Sequence, residues 1–193
     1  MTDTVIFTRI YNVEDFEAFI AHPENAERRF ELIQGEIVEK LPTEEHALIA
    51  AMISHLLMSH ILPNKLGRVG VEPRHHVEGD FHNTRLPDVA FTGVERAQPV
   101  VRKGSVPGMP DLAVEIQSPG DRPREMREKA DYYLRNGARL VWLVYPDSRS
   151  IEVCTRNQSD KLELQSLDAE KMLDGGEVIP GFMVQVGRFF EIE

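Results

Sequence analysis

The chain has 193 residues, 41% of them apolar and 28% charged, with a single cysteine, enough for one substantial core and short for two. The lone Cys154 excludes an internal disulfide and makes the cytoplasm the expected compartment, and no apolar run approaches the ~18 residues of a membrane span. A net charge of −10, from 22 basic and 32 acidic residues, speaks against clamping nucleic acid by bulk electrostatics, but not against carboxylates that hold a divalent cation.

In chain order, MTDTVIFTRI has no basic start followed by an apolar core, so no signal peptide is expected. Residues 1–27 read as a peripheral lead-in, in which Val13, Phe16, Phe19 and Ile20 predict a short amphipathic helix ending before Pro23. FELIQGEIVEKL alternates either side of Gln34-Gly35 and predicts a hairpin. Thr43 is positioned to cap a helix over 44–62, whose apolar face is Ile49, Ala50, Ile53, Leu57 and Ile61. Strands are expected at 67–71 and 75–77, a turn at GDFHN, and a short strand with a polar start in RLPDVAFTG. Residues 95–109, with Pro99, Gly104, Pro107 and Gly108, predict a loop.

PDLAVEIQSPGD then predicts a buried strand with a polar row. Alternation sends Leu112, Val114 and Ile116 to one face, and Asp111, Ala113, Glu115 and Gln117 to the other. Ser118 and Asp121 are candidate caps for a helix over 123–135, which Asn136-Gly137 closes. RLVWLVYP and SIEVCTR predict a buried strand and its hairpin partner, with Trp142 and Tyr145 in packing roles. KLELQSL, EVIPGF and MVQVGRFF predict short strands or a closing segment, the last either core or interface. No repeat or low-complexity linker divides the chain. One α/β domain over residues 1–193 with mixed sheet pairing is expected.

Chemistry concentrates around that polar strand. Glu115 and Gln117 lie two apart, Asp88 heads the apolar strand VAF, and Lys129 falls in the inward stripe marked by Met126, Ala130 and Tyr133. Two acids, an amide and a lysine suit metal-assisted phosphodiester cleavage: magnesium takes oxygen ligands, and an ammonium stabilises negative charge. Taken bare, the spacing also fits a structural salt bridge. Asp111, four residues from Glu115 and thus roughly 13 Å away, is expected to start the strand and pair with a basic neighbour.

PDVAF, PDLAVEIQSP and EKADYYLRNGARLVWLVYP, with RFELIQGEIVEKLPTEEH, GRVGVEP and IPGF, resemble the Uma-two family of restriction endonucleases within the PD-(D/E)XK nuclease superfamily. The resemblance covers nearly the whole chain. It implies a restriction-endonuclease-like core, a central mixed sheet of about four strands flanked by helices, with an additional N-terminal hairpin and helix. It matches Asp88 and Glu115 to metal ligands for Mg2+ or Mn2+. Gln117 stands where the superfamily has its signature lysine, a departure that Lys129 on the helix would supply. Glu31 and His46 match an acid and a histidine flanking the site; a hairpin-stabilising acid and a hydrogen-bonded core histidine are their plainer readings. Pro110-Asp111 is a rival to Pro87-Asp88 as the metal motif.

Arg122, Arg124 and Arg127 are candidate phosphate contacts, although Glu125, Glu128 and Asp131 interleave with them as on an ordinary solvated face. His75, His76 and His82 invite a transition metal, but adjacent strand residues face opposite ways. The functional expectation is a metal-dependent DNA endonuclease, with a homodimer as the simplest way to cut two strands. The alternatives are a non-catalytic module for self-association or partner binding, and a phosphodiesterase acting on small nucleotides.

Overall fold

The computed structural model describes residues 10–192, so the expectation for the first nine residues lies outside them. In chain order the elements are α1 (Val13–Ile20), β1 (Arg29–Ile33), β2 (Glu36–Lys40), α2 (Glu44–Ile61), β3 (Gly67–Val71), β4 (His75–His76), β5 (Thr84–Arg85) and β6 (Val89–Gly93). There follow β7 (Val106–Pro107), β8 (Leu112–Ile116), α3 (Pro123–Arg135), β9 (Leu140–Tyr145), β10 (Ser150–Arg156), β11 (Leu162–Leu167), β12 (Met172–Asp174) and β13 (Met183–Gln185). No helix among the described residues is long and apolar enough to cross a membrane.

The central sheet has six strands rather than about four, in the order β11-β10-β9-β8-β6-β3. Within this sheet, among the described residues, only β8 and β9 pair in parallel, and α3 provides the crossover that such a pair needs. A second sheet, β2-β1-β5-β4-β7, stands beside it, and β12 pairs with β13 alone. The loop expected at 95–109 contributes Val106–Pro107 to the second sheet.

Strand alternation explains the layering. Leu112, Val114 and Ile116 pack with the Ile49, Ile53, Leu57 and Ile61 stripe of α2 on one face of the large sheet, together with Trp142, Phe182, Phe189 and Phe190. MVQVGRFF therefore supplies core, although Met183 is exposed. On the other face Ala113, Val141, Leu143 and Cys154 meet Met126, Ala130, Tyr133 and Leu134 of α3. Leu57 is wholly buried, so its truncation to alanine is worth about 2–5 kcal/mol. The lead-in helix α1 has a fully buried anchor, Phe16, which packs with Phe30 and Leu32 of the hairpin.

The Thr43 hydroxyl accepts from the His46 N–H, as a cap should. At α3 neither expected cap is used. The cap is Arg122 without a side-chain bond, while the Asp121 carboxylate accepts from the Ser118 N–H inside the preceding turn. Asp111 is tied down as expected: its carboxylate accepts from Arg96 Nη1 and the Gly93 N–H, each at 2.8 Å, with Arg139 at 3.8 Å.

Candidate active site

Register brings the first two acids together. β6 pairs antiparallel with β8, Val89 opposite Val114, so Asp88 falls beside Glu115 one position along. The Asp88 N–H donates to the Val114 carbonyl at 3.0 Å, and the Ile116 N–H donates to Asp88 Oδ2 at 2.6 Å. The aspartate is thereby fixed to the backbone of the strand that carries the glutamate.

α3 and the hairpin supply the rest. One turn apart on α3, Lys129 and Tyr133 both reach back to β8: Lys129 Nζ lies 3.3 Å from Glu115 Oε2, and the Tyr133 hydroxyl donates to Oε1 at 2.7 Å. Lys129 also donates to Glu31 Oε2 at 2.9 Å, and Glu31 Oε1 accepts from the Leu86 N–H. From the end of β2, Lys40 donates to Asp88 Oδ1 at 2.6 Å and to the Leu86 carbonyl at 2.8 Å, and lies 3.8 Å from Glu115 Oε2. His46 Nε2 stands 3.1 Å from Asp88 Oδ2.

Asp88, Glu115 and Glu31 are each at most 3% exposed. Three carboxylates meet two ammoniums and the His46 imidazole in this buried cluster, and their mutual field sets the proton affinities. Burial would raise the Asp88 carboxyl, but Lys40 and His46 outweigh it and hold it well below the usual range. Glu31 is also lowered against its burial, by Lys129 and Lys40. Glu115 goes the other way, because burial and its two acidic neighbours overcome the lysines. Both ammoniums are held above the ordinary lysine range despite desolvation, by the surrounding carboxylates.

A cavity of about 740 Å³ opens onto this group. Val38, Leu41, Pro42, Pro119, Met126 and Tyr132 form its apolar lining, and Glu31, Lys40, His46, Arg85, Glu115 and Lys129 its polar lining. The oxygen-rich donor set fits a hard divalent cation such as Mg2+ or Mn2+ rather than a thiophilic one. Among the described residues no three acidic, His or Cys side chains are already gathered around a metal-sized position, since ammoniums stand between the carboxylates.

The structure thus brings Asp88, Glu115, Lys129, Glu31 and His46 into one group. It leaves Gln117 beside them: β8 ends at Ile116, and the Gln117 amide donates to the Asp121 carbonyl at 3.0 Å. Arg122, Arg124 and Arg127 face Glu125, Glu128 and Glu152, an ion-paired surface. His75 and His82 donate to the carbonyls of Gly108 and Tyr11, not toward each other. Sequence reasoning missed Lys40 and the hydroxyl of Tyr133. The signals were present: hairpin register puts Glu31 opposite Val38, hence on one face with Lys40, and a buried tyrosine needs a partner for its O–H.

A family model described as Uma2, "Putative restriction endonuclease", matches residues 13–187. A solved structure of a "putative nuclease belonging to DUF820" from Anabaena variabilis ATCC 29413 superposes with a TM-score of 0.72 at 21% identity, covering 84% of this chain and 90% of that one. No curated protein matches significantly. At that identity the structural likeness speaks for the fold alone, the nuclease core expected from the sequence.

Proposed function

The chain belongs to the Uma2 family, and from that premise we propose that it is a divalent-metal-dependent endonuclease hydrolysing DNA phosphodiester bonds. The observation that carries the reading is one buried cluster in which Asp88, just before β6, and Glu115 of β8 share Lys40 while Lys129 of α3 reaches Glu115, with Glu115 and Lys129 lining the cavity. Asp88 and Glu115 would hold Mg2+ or Mn2+, which when bound supplies a water of lowered pKa and neutralises charge on the phosphate. Glu31 positions the Lys129 ammonium, and that ammonium stabilises the negative charge that builds during cleavage. His46 holds Asp88 in place from α2. Arg122, Arg124 and Arg127 would meet neighbouring phosphates only by exchanging their present acidic partners.

Plasmid cleavage in Mg2+ or Mn2+ tests the assignment. Asp88→Asn and Glu115→Ala are expected to lose roughly a hundredfold or more, whereas Gln117→Ala, outside the cluster, loses less than about tenfold. Equal activity in wild type, Asp88→Asn and Glu115→Ala removes the assignment. Two symmetric sites would cut both strands, which sedimentation equilibrium checks. The cavity of about 740 Å³ and the acidic charge favour a second reading, hydrolysis of a small phosphodiester; a panel of dinucleotide and plasmid substrates separates the two. Absence of saturable manganese binding would point instead to a non-catalytic module.

A further inference from the structure

The environment of the Lys40 ammonium is that of a bound cation. Its oxygen neighbours are Asp88 Oδ1 at 2.6 Å, the Leu86 carbonyl at 2.8 Å and Glu115 Oε2 at 3.8 Å. Two carboxylates and a backbone carbonyl are the ligand types a hard divalent ion takes. The lysine comes from the last residue of β2, on the hairpin and not on the large sheet, so its position is not fixed by the strands that carry the acids.

We propose that Lys40 is the resident counter-cation of this site, holding the place between Asp88 and Glu115 that a divalent ion takes, and that metal loading requires its ammonium to withdraw. The inference rests on the metal-dependent reading above. An ammonium and a divalent ion cannot share the two acids at contact distance, since both seek the same oxygens and repel each other. The four-carbon stem provides the means of withdrawal, because Lys40 itself lines the cavity beside Val38 and Leu41 and can turn its head into that space. The residue therefore keeps the metal-free protein folded around buried carboxylates and sets the metal concentration at which the site loads. Lys129 is not an equivalent competitor: it is divided between Glu31 and Glu115 and does not bridge Asp88.

The test is Mn2+ binding to the full chain, read as free ion by electron paramagnetic resonance at fixed pH and ionic strength, for wild type, Lys40→Met, Lys40→Gln, Lys40→Arg and Asp88→Asn. Lys40→Met and Lys40→Gln are expected to bind at least about tenfold more tightly than wild type, with Lys40→Arg no tighter than wild type and Asp88→Asn weaker. Without metal the two neutral variants melt lower than wild type, and manganese raises their melting temperature more. Lys40→Gln, whose amide can still donate to Leu86, keeps the test open should Lys40→Met fail to fold. If wild type binds saturably, Asp88→Asn does not, and neither neutral variant gains affinity, Lys40 does not compete and the inference falls while the metal reading stands. If no variant binds manganese, both fall.

Discussion

Glu115 is the residue on which the charges of the site are settled. It touches Lys129 and Tyr133, lies near Lys40, and is the one carboxyl of the three whose proton affinity rises. The Tyr133 hydroxyl is its nearest neutral donor, wholly buried, so Tyr133→Phe leaves an acceptor with one donor fewer. The expected cost is about 1–3 kcal/mol in urea unfolding, and a loss below about 0.5 kcal/mol would show that the hydroxyl bears none of the burden. His75 gives a separate pH signature. Burial pushes its imidazole down to about 4, against about 6.5 in an unfolded chain. The unfolded chain therefore binds the proton first, and stability present above pH 6.5 is lost as pH falls toward 4, by at most about 3 kcal/mol. Unfolding free energies of wild type and His75→Gln across that window should diverge, with the variant flatter. Asp88 and Glu31, whose carboxyls are depressed, lose their contribution only at still lower pH.

Among the elements, the β1–β2 hairpin has the largest effect on the site for its size, since it delivers both Glu31 and Lys40. Its turn places Gln34 at φ 51° and Gly35 at φ 83°, the left-handed pair of a two-residue hairpin loop. Glutamine tolerates that conformation less well than asparagine, so Gln34→Asn is expected to raise stability by about 0.5–1 kcal/mol in thermal or urea unfolding. The hairpin was legible from its alternation and Gln-Gly turn, as were α2 from its stripe and cap, and β8 from its apolar and polar rows. Its destination was not. Pairing between β1 and β5 rests on Leu32 opposite Thr84, a contact across half a hundred residues that no local period announces. For the same reason Lys40 read as the end of a strand and not as a neighbour of Asp88. Gln117 bonds outside the group for a local reason: its N–H still pairs with the Val144 carbonyl, but its amide is taken by the Asp121 carbonyl of the turn that follows.

For the molecule as a whole, the net charge of −10 sets how a polyanion can approach. The arginines at the entry of α3 are already paired with acids, so few free cations remain there to release counterions from DNA. Plasmid cleavage is accordingly expected to change less than about tenfold between 50 and 200 mM salt, where a protein making 6–10 phosphate contacts loses about 10³–10⁵ in affinity. A steep salt slope measured on initial rates would show a basic face that the ion pairs conceal. The two-sided burial of the large sheet was readable from the near-continuous apolar run LVWLVY, while the six-strand width was not, because edge strands such as β11 are mostly exposed and differ little from loop in composition.

Trp142, the sole indole of the chain, is completely enclosed between α2 and the C-terminal phenylalanines, with Phe182 stacked at 5.9 Å. The molecule thus contains a built-in optical probe of one of its two larger sheets. Emission should be blue and sheltered from iodide, and its red shift will report when the six-stranded layer comes apart. Separation of the hairpin's own sheet, which contains no indole, should pass in darkness.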